Sequence, residues 1–221
     1  MKAEYINHMG DDLSIVNSAR VSFNKESDRF IDKDEKLVRY LAKHSHFTPF
    51  THTAITLRET VPIFVARQRF KHVVGFTYNE VSRRYVDDAP EFYVPEVWRG
   101  KPVNAKQGSS DEVITTYEIT LEDDTWTVEP KEEYRELLDH CEHVYFNMIK
   151  GGVAPEQARM VLPQSMYTSY YVTGSLAAFA RAYGLRSDPH AQLEIQELAK
   201  MWDEIIRPLF PVGWSSLVDP A

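Results

Sequence analysis

The stretch Thr53-Ala54-Ile55-Thr56-Leu57-Arg58-Glu59-Thr60-Val61-Pro62-Ile63-Phe64-Val65-Ala66-Arg67-Gln68-Arg69-Phe70-Lys71-His72 carries two periodicities without a break. Thr53 to Val61 is rich in β-branched residues and partly alternating, which predicts a strand. Pro62 suits the first position of a helix, where a missing amide proton costs nothing. That helix would carry Ile63, Phe64, Val65, Arg67, Gln68, Phe70 and Lys71. A strand feeding straight into a helix predicts a mixed fold, α+β or α/β.

Working outward, Asp34 to His44 has Leu37, Val38 and Leu41 on one face and predicts a short helix. Thr77-Tyr78-Asn79-Glu80 breaks the apolar pattern and suggests a loop. From about Pro102 to Glu129 the composition shifts. Gly108-Ser109-Ser110 and Glu122-Asp123-Asp124 flank a strand-like Thr115 to Thr120, predicting a hairpin-like surface insertion. Pro130 opens a long helix to about Lys150, which Gly151-Gly152 end. Its Leu137, Cys141, Val144 and Met148 keep helical spacing. A second long helix is expected from about Pro189 to Ile206, with Asp188 as N-cap and Leu198, Trp202 and Ile205 on one face. Pro208 to Trp214 reads as irregular. Neither an internal repeat nor a low-complexity segment is present.

At 221 residues the chain fits one domain, 1–221, with room for elaboration. Lys and Arg number 25 against 33 Asp and Glu, a formal net charge of -8, which disfavours a coat for nucleic-acid polymers. Hydrophobic residues at 43% suffice for a core. No run approaches the roughly 18 apolar residues of a membrane span. Met1-Lys2-Ala3-Glu4-Tyr5 meets polar residues too early for a signal-peptide core. The lone Cys141 excludes an internal disulfide and fits a reducing compartment, so a soluble, intracellular protein is expected. Placed on the apolar stripe of a long helix, Cys141 is expected to act as a small hydrophobe and not as a nucleophile.

Three segments carry candidate chemistry. Arg67-Gln68-Arg69-Phe70-Lys71-His72 pairs Arg67 with Lys71, and Gln68 with His72, at four-residue spacing. Asn79-Glu80-Val81-Ser82-Arg83-Arg84-Tyr85 follows. Together they supply cations, a hydroxyl, a carboxylate and an amide, the groups that hold a phosphate and a pyrimidine edge. The same residues also suit a solvated basic face at a helix end. His44, His46 and His52 form a cluster that lacks nearby cysteine or acidic ligands, and no metal is expected. Arg186-Ser187-Asp188-Pro189-His190-Ala191-Gln192 sets an Arg at a helix junction, where it can meet a polar ligand or cap the preceding helix.

These blocks, with Ala19-Arg20-Val21-Ser22-Phe23, His44-Ser45-His46-Phe47-Thr48-Pro49-Phe50, Pro62-Ile63-Phe64-Val65-Ala66-Arg67-Gln68 and Ala158-Arg159-Met160-Val161-Leu162-Pro163, resemble the flavin-dependent thymidylate synthases, the ThyX family. The resemblance spans nearly the whole chain outside the 102–129 insertion. It implies an α+β, ThyX-like fold with a central mixed or antiparallel sheet flanked by long helices. It also implies transfer of the methylene group of 5,10-methylenetetrahydrofolate to C5 of dUMP, with FAD supplying hydride and NADPH re-reducing it, and no cysteine attack. Arg186 matches the residue that stabilises charge on the pyrimidine. Gln68, Lys71, Glu80, Ser82, Arg83, Arg84, Arg159 and Arg186 match dUMP-binding positions. Ser22, His46, Thr48, Lys71, His72, Val73 and Glu80 match FAD positions, joined by Ser175 and Arg181. Homotetramers with active sites at subunit interfaces are implied as well.

Two departures stand out. The family motif is Arg-His-Arg, seven residues, then Ser; here Lys71-His72-Val73 is followed by eight residues, Val74 to Val81, before Ser82. Lys keeps the charge without the bidentate fork, and Val73 removes a cation. Ser175 and Ala177 stand where relatives often place Asn and Arg, with Arg181 nearby. Divergent relatives make 5-hydroxymethyl-dUMP instead, and that product is the alternative reading. A nucleotide- or RNA-binding module and a metal-dependent hydrolase are the other classes; yellow colour with a flavin band that responds to dUMP separates the enzyme from both.

Overall fold

The computed structural model describes residues 1–85, 88–103 and 108–219. They fall into two compact units. The first comprises Met1–Thr60, Arg67–Glu80 and Ser169–Ala221; the second comprises Val61–Ala66 and Val81–Thr168.

A four-stranded sheet organises the first unit, with strands β1 (Lys2–Met9), β2 (Ala54–Pro62), β3 (Phe76–Glu80) and β6 (Tyr167–Gly174) in the order β1-β2-β6-β3. β1 pairs with β2, and β3 with β6, in antiparallel register. The Thr56 and Thr173 hydroxyls, 2.9 Å apart, link the central strands. Alternation along β2 turns Ile55, Leu57, Glu59 and Val61 inward, all with no exposed surface. The period-two reading therefore holds, with one charged residue in the apolar phase.

Helices α1 (Asp12–Arg20), α2 (Asp32–Lys43), α6 (Leu176–Arg186), α7 (Leu193–Ile206) and α8 (Pro211–Val218) complete this unit. Their cores meet in Ile15, Val16, Val38, Phe179, Leu198, Trp202 and Trp214, each fully buried. Asp11 opens α1 with a capping box shared with Ser14. Asp12 leaves its own helix to cap another: its carboxylate accepts from the Val212 and Gly213 amides of α8, each at 2.8 Å. Burial raises its pKa, against those two hydrogen bonds.

Several sequence expectations need correction. Pro62 ends β2, and helix α3 begins one residue later, at Ile63, closing at Arg69. Thr77–Glu80 is no loop: it forms β3, because pairing with β6 satisfies its backbone and Phe76 and Tyr78 turn inward. The second long helix starts at Leu193, not near Pro189, with Gln192 at the N-cap. Asp188 instead accepts from the His190 amide at 2.7 Å, which tightens the preceding turn. Pro208 to Trp214 runs into α8, whose amides are satisfied by the distant Asp12, a partner that local pattern cannot reveal.

In the second unit, strands β4 (Tyr117–Leu121) and β5 (Asp124–Val128) form the hairpin expected in the insertion, the first strand beginning two residues and ending one residue later than the Thr115 to Thr120 reading. Glu122 takes a left-handed φ of 55° at its turn. Helix α4 spans Pro130–Lys150, and the Gly151 amide closes it on the Asn147 carbonyl at 2.8 Å. Its buried residues are Pro130, Leu138 and Tyr145, while Leu137 is 51% exposed. The inner face is thus rotated from the expected stripe, and Cys141 is only half-buried. A short helix, α5 (Pro155–Ala158), and a 3-10 turn, Arg159–Val161, follow.

Candidate functional site

The first unit builds its polar site at the C-terminal ends of α3 and α6. Arg186, the last residue of α6, donates from Nε to His72 Nε2 at 2.8 Å and from Nη2 to the Gln68 carbonyl at 3.2 Å. The second reading of the Arg186 block is met in part: Arg186 belongs to the preceding helix, yet reaches across to another segment. Because Nε2 accepts, the His72 ring proton lies on Nδ1. Burial, followed by the cations Arg186, Arg69 and Arg181, pushes the His72 pKa down to about 4. Burial and then Arg69 lower that of Arg186, which still carries its proton.

Beneath this pair lies a charged group that is wholly buried. Arg69 Nε faces both Glu59 oxygens, at 3.2 and 3.3 Å, and neither side chain has exposed surface. Its Nη1 donates to the Tyr78 hydroxyl at 2.7 Å, and that hydroxyl in turn donates to the His72 carbonyl at 2.7 Å. Glu59 also accepts from Tyr170 Oη at 2.6 Å and Trp202 Nε1 at 2.9 Å. The guanidinium sits 4.3 Å from the Phe76 ring centroid and 4.6 Å from that of Trp202, within cation–π range. Burial pushes the Tyr78 hydroxyl up to about 12, so it remains a donor. The backbone of His72 is therefore fixed from below while Arg186 fixes its ring.

The family model for thymidylate synthase complementing protein (Thy1) matches residues 4–212. A flavin-dependent thymidylate synthase of Thermosipho africanus is 38% identical over 194 residues, covering 88% of this chain and 80% of its own. That of Thermotoga neapolitana is 35% identical over 215 residues, covering 97% and 89%. The chain belongs to the flavin-dependent thymidylate synthase family. The crystal structure of a UMP/dUMP methylase, PolB from Streptomyces cacaoi, bound with 5-Br dUMP, is similar with a TM-score of 0.79 and 25% identity, covering 99% of this chain and 94% of that one. The fold is the ThyX-like α+β fold of this family.

Of the family-matched positions, Gln68, His72 and Arg186 are joined directly by hydrogen bonds. Arg181, also on α6, donates to the Val74 carbonyl. Ser175 caps α6, its hydroxyl oxygen accepting from the Ala178 amide at 3.2 Å while its proton stays free to donate. Lys71, Val73 and Glu80 lie on the exposed surface between α3 and the end of β3. Ser22, His46 and Thr48 are exposed in or beside the 3-10 turns Val21–Phe23 and Thr48–Thr51, with no hydrogen bond to the Arg186 group. His46 and His44 rings are 6.4 Å apart, and among the described residues no three His, Cys, Asp or Glu side chains form a metal-binding group.

Ser82, Arg83, Arg84 and Arg159 belong to the second unit. Arg84 Nε donates to Ser82 Oγ at 3.1 Å, and Arg83 Nη1 to the Asp88 carbonyl at 2.5 Å. Arg159, exposed, donates to the Glu156 carbonyl at 3.3 Å. Sequence reasoning missed Glu59, Arg69 and Tyr78. A signal was available: Glu59 falls in the inward phase of its strand, and Arg69 lies four residues after Val65, on the buried side of α3.

Proposed function

We propose that this protein is a flavin-dependent thymidylate synthase that converts dUMP to dTMP, with 5,10-methylenetetrahydrofolate as the carbon donor, FAD as cofactor, NADPH as reductant and no cysteine nucleophile. The observation that carries this reading is the setting of Arg186. Its guanidinium is held by a neutral ring nitrogen and a carbonyl, and among the described residues no carboxylate pairs with it. Its charge is therefore available to a pyrimidine that becomes electron-rich at C5. A paired arginine would be largely neutralised.

The substrate reading is supported by the names of the relatives and by the 5-Br dUMP in the similar methylase. Gln68, Lys71, Glu80, Ser82, Arg83, Arg84, Arg159 and Arg186 are proposed to hold dUMP. Ser22, His46, Thr48, Lys71, His72, Val73, Glu80, Ser175 and Arg181 are proposed to hold FAD. The surface suits such a group: Val73 and Val74 are 65% and 68% exposed beside the cations Lys71 and Arg181. A flat ring system carrying a diphosphate needs this mixture of apolar surface and positive charge. When bound, flavin supplies the hydride; the protein orients the nucleotide, excludes water and stabilises charge.

Cys141 sits half-buried on α4 and is proposed to be structural. Exposed Val21, Phe23 and Phe47 support assembly into a homotetramer, in which other copies would cover them. One family model spanning residues 4–212 supports a single catalytic domain, 1–221. No helix among the described residues is long and apolar enough to cross a membrane, and a cytoplasmic location is proposed. Incubation with dUMP, 5,10-methylenetetrahydrofolate, FAD and NADPH, followed by mass analysis of the nucleotide, tests the reaction. Thymidylate is expected; 5-hydroxymethyl-dUMP would establish the alternative, and unchanged dUMP with flavin-loaded protein would refute both.

A further inference from the structure

Gln68 is gripped at two points. Arg186 holds its carbonyl, and its side-chain Nε2 donates to Gln192 Oε1 at 2.7 Å. Gln192, at the N-cap of α7, then donates from Nε2 to Glu194 Oε2 at 2.8 Å. Glu194 is 4% exposed and stands in the first turn of that helix. The turn leading into α7 is secured as well, since Gln196 Nε2 donates to the Ala191 carbonyl at 2.7 Å.

The direction of this chain of amides follows from its last member. A carboxylate accepts and does not donate, so the Gln192 amide group must face Glu194. Its carbonyl oxygen is thereby turned toward Gln68, and only the Gln68 amide group can meet it. A flipped Gln68 would set two carbonyl oxygens at 2.7 Å with no proton between them. Gln68 Oε1 is left without a hydrogen-bond partner among the described residues. We infer that Glu194, acting through Gln192, is a positioning residue that locks the polarity of the Gln68 side chain, so that Gln68 Oε1 receives a hydrogen-bond donor of the nucleotide, a sugar hydroxyl or the ring imide N–H.

The inference rests on the dUMP reading of this site. Calorimetric titration of dUMP into the full chain tests it with wild type, Glu194→Gln, Gln68→Met and the double variant. Glu194→Gln lets all three amides reverse and is expected to weaken dUMP about fivefold, the worth of one neutral hydrogen bond, but less than about twofold in the Gln68→Met background. Equal weakening in both backgrounds, or none in either, would overturn the relay. Gln192→Met, at an exposed position, breaks the same chain and carries the same expectations should Glu194→Gln prove unstable. Two analogues identify the donor. Of 3′-deoxy-dUMP and N3-methyl-dUMP, one is expected to bind wild type about tenfold more weakly than dUMP, with that deficit largely erased in Gln68→Met. No deficit with either, or a deficit that survives in Gln68→Met, refutes the donor assignment. Wild type that binds no dUMP would instead refute the proposed function itself.

Discussion

Arg69→Met probes the charged group beneath the site while preserving most of the side chain's volume. It removes the cation paired with Glu59, which has no exposed surface and whose carboxylate lies 3.2 Å from Arg69 Nε. Breaking a buried ion pair by deleting one partner costs about 3–5 kcal/mol. Glu59 keeps its hydrogen bonds from Tyr170 and Trp202, which places the loss near the lower end, about 3 kcal/mol. Lost cation–π contacts to Phe76 and Trp202 add about 1 kcal/mol. At about 2–4 °C per kcal/mol for a chain of this size, the melting temperature should fall by roughly 8–16 °C. Urea unfolding followed by tryptophan fluorescence and circular dichroism gives the free energy. Adding Glu59→Gln removes the stranded charge and should restore about 2 kcal/mol. A loss below about 1 kcal/mol in Arg69→Met, or further destabilisation from the second change, would show that the pair does not hold this region together.

Arg186→Ala should leave circular dichroism and melting nearly unchanged and lower turnover by about 10²–10³-fold, because its charge serves the pyrimidine; near-normal product formation refutes that role. His72 has an ordinary pKa of 6.5 and about 4 in the folded protein, so the folded state binds fewer protons between those values. Its contribution to stability is complete above the unfolded value and is lost as pH falls toward about 4; His72→Asn should flatten this slope, and a His72 NMR titration midpoint near 6.5 contradicts the geometry. Cys141→Ala should keep full activity and cost about 1 kcal/mol or less, since the residue is half-buried. Complete loss of turnover in folded protein would implicate the thiol.

Elements with strong local punctuation were legible in the sequence. Helix α4 begins at Pro130 and ends before Gly151, as the flanking residues predict, and the alternation of residues 54–61 marks β2. What escaped notice depends on partners far along the chain. β3 looks like a loop because its polar outer face is read without β6. Helix α8 looks irregular because Asp12, not a neighbour, satisfies its amides. The site divides in the same way. The family resemblance points to Gln68, His72 and Arg186, which hydrogen bonds join in the fold, whereas Glu59 hid in a strand read for its β-branched residues and Arg69 in a run read as a basic face. The Gln192 relay required distances, since side-chain amides give no periodic signal.

The Asp12 cap joins residues 200 positions apart. During synthesis α1 must therefore wait, its carboxylate still hydrated, until α8 has left the ribosome. Only then do the α8 amides arrive to be bound, so stop codons or frameshifts that remove α8 should yield protein that never matures, although every proposed catalytic side chain has already been made.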